Sequence, residues 1–180
     1  MAGQRLTDKS GLDFNTSAGD LYMIVDVDDT TGSSAGTSKK LDCRYVIQTD
    51  DISVSNSDFT SMDDSGGAGT YVTLVDAFGT GYAPVILGVN VAVTHASPDD
   101  SSNKDLKIGY VVDSTQYAIS QRRFMSGVGA NAVYPMAPQP ASDGAGSSYD
   151  NAKVVMFSSG NFNGGFSAVV YITYQVIKLS

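Results

Sequence analysis

The most informative absence in this 180-residue sequence is glutamate, because all 19 acidic residues are aspartate. Glutamate is a good helix former, whereas aspartate, serine and threonine compete for backbone hydrogen bonds and favour caps and turns. The chain also has 23 serines and 13 threonines, while its 19 valines and 10 tyrosines favour strands. The composition therefore predicts an all-β protein with little helix.

Cysteine, histidine and basic residues are scarce, and each shortage excludes a class of function. The single cysteine, Cys43, excludes an intrachain disulfide framework and a cysteine-rich zinc site. The single histidine, His95, leaves little for acid–base chemistry near neutral pH. With 11 basic against 19 acidic residues, the net charge is −8, which disfavours nucleic acid as a partner.

Long apolar runs are absent as well. No run approaches the ~20 residues that a membrane-spanning helix needs. Residues 1–20 are polar and lack the apolar core of a secretory signal. We therefore expect a soluble protein with no membrane partner.

Alternation of apolar and polar residues predicts a series of strands in the second part of the chain. The strongest signal is Phe166–Lys178, and the next is Pro84–His95, with Val85, Leu87, Val89, Val91 and Val93 on one face. Further strands are predicted at Tyr71–Val75, Leu106–Val112, Tyr117–Met125, Ala132–Met136 and Lys153–Phe157. We interpret residues 66–180 as an antiparallel β-sandwich of jelly-roll type.

The first part of the chain has a different organisation. Residues 1–20 show no sustained period and suit an arm. Two strands, Leu21–Val27 and Leu41–Ile47, are predicted to form a hairpin with a long loop, and the polar residues 49–69 a linker with one short helical turn. Residues 1–65 are therefore expected to form an N-terminal arm and docking hairpin.

The last strand has a mixed second face. Val169, Tyr171 and Ile177 alternate onto it and would be partly exposed on a monomer. Such surface often marks a subunit contact. Cover by a loop or by the N-terminal hairpin is an equal alternative.

Several segments match functional motifs only in part. Gly32–Lys40 has three residues between its glycines instead of four, and Lys39 comes too late to reach a phosphate, so it is interpreted as a flexible loop. Gly127–Asn131 lacks the third glycine of a dinucleotide fingerprint and is interpreted as a turn. Asp26, Asp28 and Asp29 lack the calcium-loop spacing, although a loop site for a cation stays open.

Candidate catalytic groups also receive structural interpretations. His95 lies two residues before Ser97, but no Gly-x-Ser-x-Gly elbow exists, and His95 is assigned a structural role. Cys43 is assigned as a buried, inert thiol. Pairs of neighbouring aspartates are interpreted as solvated turn residues, and an aromatic set as core packing in preference to a sugar site. The pairs are Asp50/Asp51, Asp63/Asp64 and Asp99/Asp100, and the aromatic set is Tyr110, Tyr117, Phe124, Tyr134, Tyr149, Phe162 and Phe166. We therefore predict no enzyme activity and no catalytic, cofactor-binding or metal-binding residues.

One segment resembles a known class of proteins. Gly19–Asp42, GDLYMIVDVDDTTGSSAGTSKKLD, is similar to the opening module of many tailed-phage virion proteins. The similarity rests on IVDVDDTT, Ile24–Thr31, followed by GTSKK, Gly36–Lys40. The closing segment Asn161–Ile177 is similar in style to the terminal β-domains of virion decoration and fibre proteins.

The resemblance implies a non-enzymatic structural role in a phage virion. The expected function is that of a capsid decoration (cement) protein or head-fibre component, located on the outer capsid surface, where it binds and stabilises the shell. The implied partners are the major capsid protein or another virion protein, together with further copies of the chain in a homotrimer. The alternative is a tail-fibre or lectin-like module that binds host-surface glycans through the loop Ala137–Asn151.

Overall fold

The chain contains two compact units, Met1–Val46 and Ile47–Ser180. The computed structural model describes residues 21–26, 31, 37–42, 46–64, 69–123, 129–137 and 149–179. In the first unit, β1 (Leu21–Asp26) pairs antiparallel with β2 (Thr37–Asp42). The two strands pair as a hairpin, as predicted, but the predicted bounds of the second strand are wrong, since it is Thr37–Asp42 and not Leu41–Ile47. The first residues of β2 were interpreted as a loop because serine and lysine are uncommon in strands. Pairing with β1 makes them part of a strand.

In the residues that the structure describes, the second unit has eight strands and one short helix. In chain order they are β3 (Gln48–Val54), α1 (Asn56–Ser61), β4 (Val72–Val75), β5 (Tyr82–Ala96), β6 (Asp105–Val112), β7 (Thr115–Arg123), β8 (Ala132–Met136), β9 (Lys153–Ser158) and β10 (Gly165–Lys178). All strand pairs are antiparallel.

The strands form two four-stranded sheets, ordered β3-β10-β5-β8 and β4-β9-β6-β7. Among β3–β10, β6 and β7 are the only pair adjacent both in the chain and in a sheet, because between the other consecutive strands the chain crosses from one sheet to the other. This winding is that of a jelly roll. The predicted all-β sandwich is therefore confirmed.

The sandwich begins earlier than the sequence analysis expected. β3 and α1 belong to the unit that starts at Ile47, whereas they were predicted to lie in a linker that ends the docking segment at residue 65. The sequence pattern did not predict β3 because two of its inward positions, Gln48 and Asp50, are polar. The single hydroxyl proton of Tyr174 lies within reach of both, with its oxygen 3.2 Å from Gln48 Oε1 and 2.9 Å from Asp50 Oδ2, and this polar contact lowers the cost of placing them there.

The predicted short helical turn is present as α1. Ser55 caps it: its hydroxyl accepts a hydrogen bond from the backbone N–H of Asp58, and the Asp58 carboxylate accepts one from the backbone N–H of Ser55 at 2.8 Å. This reciprocal capping box satisfies donors that the first turn of a helix leaves free. α1 turns its one buried side chain, Phe59, into the sandwich.

The core lies between the two sheets, and β10 contributes most regularly to it. The face of β10 opposite Val169, Tyr171 and Ile177 is buried, since each of its side chains is at most 5% exposed: Phe166, Ala168, Val170, Ile172, Tyr174 and Val176. Phe59 completes an aromatic cluster with Phe162 and Phe166, whose ring centroids lie 5.9 and 4.6 Å from its own.

A bulge in β5 corrects the predicted face of that strand. Thr173 on β10 pairs with Gly88 but Tyr174 pairs with Ile86, so Leu87 has no partner. The extra residue shifts the alternation, which buries Ile86 and leaves Leu87 46% exposed. Val89, Val91 and Val93, beyond the bulge, are buried as predicted.

Candidate functional site

His95 is held by a carboxylate at one end of the sandwich. Its Nε2 lies 2.8 Å from Oδ1 of Asp99, and its backbone N–H donates to the side-chain oxygen of Asn131 at 2.8 Å. The His95 side chain is 16% exposed. The ring partner is thus Asp99 and not Ser97, an arrangement that positions a loop without activating a hydroxyl.

Several aspartates of the predicted pairs form hydrogen bonds or an ion pair within the protein. Asp100 is only 3% exposed, and it accepts hydrogen bonds from the backbone N–H and hydroxyl of Ser102 at 2.8 and 2.9 Å. Asp64 forms an ion pair with Lys107, and Asp63 accepts a hydrogen bond from the backbone N–H of Thr70 at 2.9 Å. These carboxylates fix loops, which corrects the expectation that they are merely solvated.

Several predicted features lie outside the described residues. They are Cys43, Asp28, Asp29, residues 32–36, Phe124, Gly127 and residues 138–148 of the loop Ala137–Asn151. Within the described ranges, no group of three or more histidine, cysteine or acidic residues is placed to hold a metal ion. The helix found in those ranges is too short to cross a membrane.

Most described members of the aromatic set pack in the core, whereas Tyr117 is partly buried and lies outside the core cluster. Tyr110, Tyr134, Phe162 and Phe166 are all at most 9% exposed, and Tyr149 packs against the same core. The interpretation of these rings as core packing is therefore confirmed for them. Tyr110 and Tyr149 stack with ring centroids 4.4 Å apart.

Burial shifts the pKa of the Tyr110 hydroxyl. Loss of solvent raises the pKa of the Tyr110 hydroxyl above its ordinary value of 10.0, and Tyr149 adds to the rise, while a hydrogen bond with the backbone of Ile86 opposes it. Above about pH 10 the unfolded chain therefore loses this proton before the folded chain does. The folded state then binds more protons, so stability falls as pH rises.

We expect Tyr110→Phe to weaken this alkaline loss of stability. In the wild type, the free energy of unfolding should be retained below about pH 10 and fall above it, with Tyr110 contributing up to about 1.4 kcal/mol per pH unit. Urea unfolding followed by circular dichroism between pH 8 and 11 measures the slope. Tyr171→Phe, at an exposed ring, is the control. Equal slopes for wild type and Tyr110→Phe would contradict the assignment.

The outer face of the sheet β3-β10-β5-β8 carries exposed apolar side chains, and we term it the open face. The prediction for the last strand is confirmed here, because Tyr171 is 47% and Ile177 39% exposed and Val169 is partly buried. Leu87 and Val133, the latter 66% exposed, belong to the same face. The alternating pattern predicted Leu87 on the buried face, which the bulge in β5 reverses, and the strand of Val133 is too short to show a clear period.

The centre of the open face is a shallow concavity. Its volume is about 470 Å³, and Ala92, Thr94, Asn131, Val133, Val169 and Tyr171 are among the residues that line it. These side chains carry no ionisable group with which to catalyse a reaction near neutral pH. The arrangement suits packing against another surface.

No protein-family model matches the sequence, and no curated protein matches it either. Function is therefore inferred from the jelly roll, the open face and the N-terminal string of residues.

Proposed function

We propose that this protein is a non-enzymatic structural component of a tailed-phage virion, a capsid decoration (cement) or head-fibre protein that binds and stabilises the outer capsid surface. The jelly-roll strand order carries the proposal, because viral capsid domains use this architecture. Lectins and cupins use it too, so the fold alone does not decide between these functions. The resemblance of Ile24–Thr31 and Gly36–Lys40 to virion proteins favours the first.

The charge of the chain supports an outer location. A net charge of −8 disfavours contact with the phosphates of a packaged genome. It also keeps free subunits apart and in solution before assembly. The proposed localisation is therefore the capsid exterior.

The proposed partners follow from the division of the chain. Residues 1–46 form a unit separate from the sandwich and contain the virion-like string, so we assign docking on the major capsid protein or another virion protein to them. β3 and α1 are left out of the docking segment because they belong to the sandwich unit. The proposed assembly state is a homotrimer.

Deletion of residues 1–46 is expected to weaken binding to capsids by at least about 10-fold, since it removes the docking unit and leaves the eight-stranded unit intact. Co-sedimentation of the purified protein with capsids that lack it measures the affinity. Circular dichroism of the truncated protein checks that the sandwich is folded. Unchanged affinity of a folded truncation would contradict the docking assignment.

Localisation is tested separately. Gold-labelled antibodies against the protein should decorate the outside of intact particles of the phage that encodes it. Particles without label, together with saturable binding on a glycan array, would replace the structural proposal by the lectin-like alternative.

A further inference from the structure

The two sheets of the sandwich differ in what lies on their outer faces. On the sheet β4-β9-β6-β7, the outward residues Val111, Val155 and Phe157 form a small buried cluster with Tyr71 packed against it. Gln116 on the same sheet exchanges hydrogen bonds with the backbone of Gly69, at 3.2 and 3.0 Å. The chain itself therefore covers apolar surface on this face.

Within the unit Ile47–Ser180, no described segment covers the open face in this way. Its apolar side chains follow the strand register across the sheet, because Val169 on β10 lies beside Ala92 on β5, and Ala92 lies beside Val133 on β8. The next row places Tyr171 beside Asn90, which lies opposite Pro135. Apolar side chains that are exposed or partly exposed thus form a continuous band over three strands.

Charge is depleted on the open face. The chain has 19 aspartates, yet among the described strand residues that alternate outward on this sheet the single side chain that is charged near neutral pH is Asp51, on the edge strand β3. The other outward positions on β10 and β5 are apolar or carry neutral polar groups, as in Ser167, Thr173, Asn90 and Thr94. Depletion of charged residues is the compositional mark of the centre of a protein interface.

We propose that the open face binds a second copy of this chain. Each copy carries a charge of −8, so a contact between copies is favoured on surface that lacks carboxylates, and the open face meets that condition. A basic partner would instead be matched by acidic side chains. The inference rests on the homo-oligomer in the proposed function and is independent of capsid binding.

The size of the open face fits this occupant. Its strands have 7, 14, 15 and 5 residues, which at about 3.3 Å along and 4.8 Å across each strand give a face of roughly 650 Å². A stable contact between proteins buries about 800 Å² on each partner. The open face therefore supplies most of one such contact.

The test measures self-association of the full chain by sedimentation equilibrium. We expect Val133→Asp to raise the dissociation constant of the oligomer by about 100-fold or more, because the substitution brings a carboxylate into an uncharged contact. Tyr171→Ser should raise it by about 10-fold, through loss of a central ring. Thr80→Asp, which adds the same charge at an exposed turn residue outside the open face, is the matched control and should change it less than about 2-fold.

The outcomes distinguish the assignment of the contact surface from the assignment of the homo-oligomer. Circular dichroism first establishes that the variants are folded, which the exposure of Val133 and Tyr171 favours. If the wild type is oligomeric and all three variants have its dissociation constant, the assignment of the surface is overturned. The homo-oligomer is then still supported. A monomeric wild type would overturn both, even where Val133→Asp abolished capsid binding, since that loss would assign the open face to the capsid.

Discussion

Replacing Phe59 by alanine is expected to lower the free energy of unfolding by about 3–5 kcal/mol. Phe59 is fully buried, although it lies on a helix of only six residues. Its ring packs on Phe166 at a centroid distance of 4.6 Å and edge-on against Phe162 at 5.9 Å. Removing it leaves a cavity beside the two remaining rings, which already pack on each other at a centroid distance of 5.9 Å.

Urea unfolding followed by circular dichroism measures this effect, with two variants for comparison. Phe59→Leu keeps an apolar side chain in place and should cost less than alanine, while Thr60→Ala, at the next, exposed residue, should change stability by about 0.5 kcal/mol at most. If Phe59→Ala were as stable as Thr60→Ala, the result would contradict the packing of α1 on the core.

Gly109→Ala is expected to destabilise the fold by about 3 kcal/mol or more. Gly109 lies on β6 opposite a second bulge, where Ile108 pairs with Ser120 but Gly109 pairs with Ala118. A Cβ atom at residue 109 would overlap the backbone oxygen of Tyr117. Since that oxygen belongs to a paired strand, it can move only if the pairing between β6 and β7 is distorted.

Gly88→Ala is the matched control, because Gly88 also lies beside a bulge, on β5. A Cβ atom there meets no heavy atom within 4 Å. Alanine should therefore stabilise the protein slightly, by up to about 1 kcal/mol, since glycine inside a strand is costly. The two substitutions are chemically identical and are expected to have opposite signs in urea unfolding. Equal effects would show that contact at residue 109 does not decide the outcome.

Where the alternating pattern is unbroken, the sequence predicted both the strand and its buried face, as in β10. β5 was predicted as a strand, but its first half has the opposite face because the unpaired Leu87 shifts the alternation. A bulge depends on the pairing with β10, which the pattern of one strand does not reveal.

β3 was missed for a different reason. Its inward Gln48 and Asp50 resemble loop residues, and only the distant Tyr174 explains why they are tolerated in the sandwich. The same limit applies to the open face. The sequence indicated Val169, Tyr171 and Ile177, because they share one strand, whereas Val133 joins them through pairing with β5.

The position of β10 has a consequence for the synthesis of the protein. This strand lies between β3 and β5, and the bond from Tyr174 to Gln48 spans 126 positions of the chain. Until residues 165–178 have left the ribosome, the two earlier strands lack their common neighbour and the sheet cannot close. Folding must therefore be completed after translation of this segment, and pairings over such long separations are slow to form.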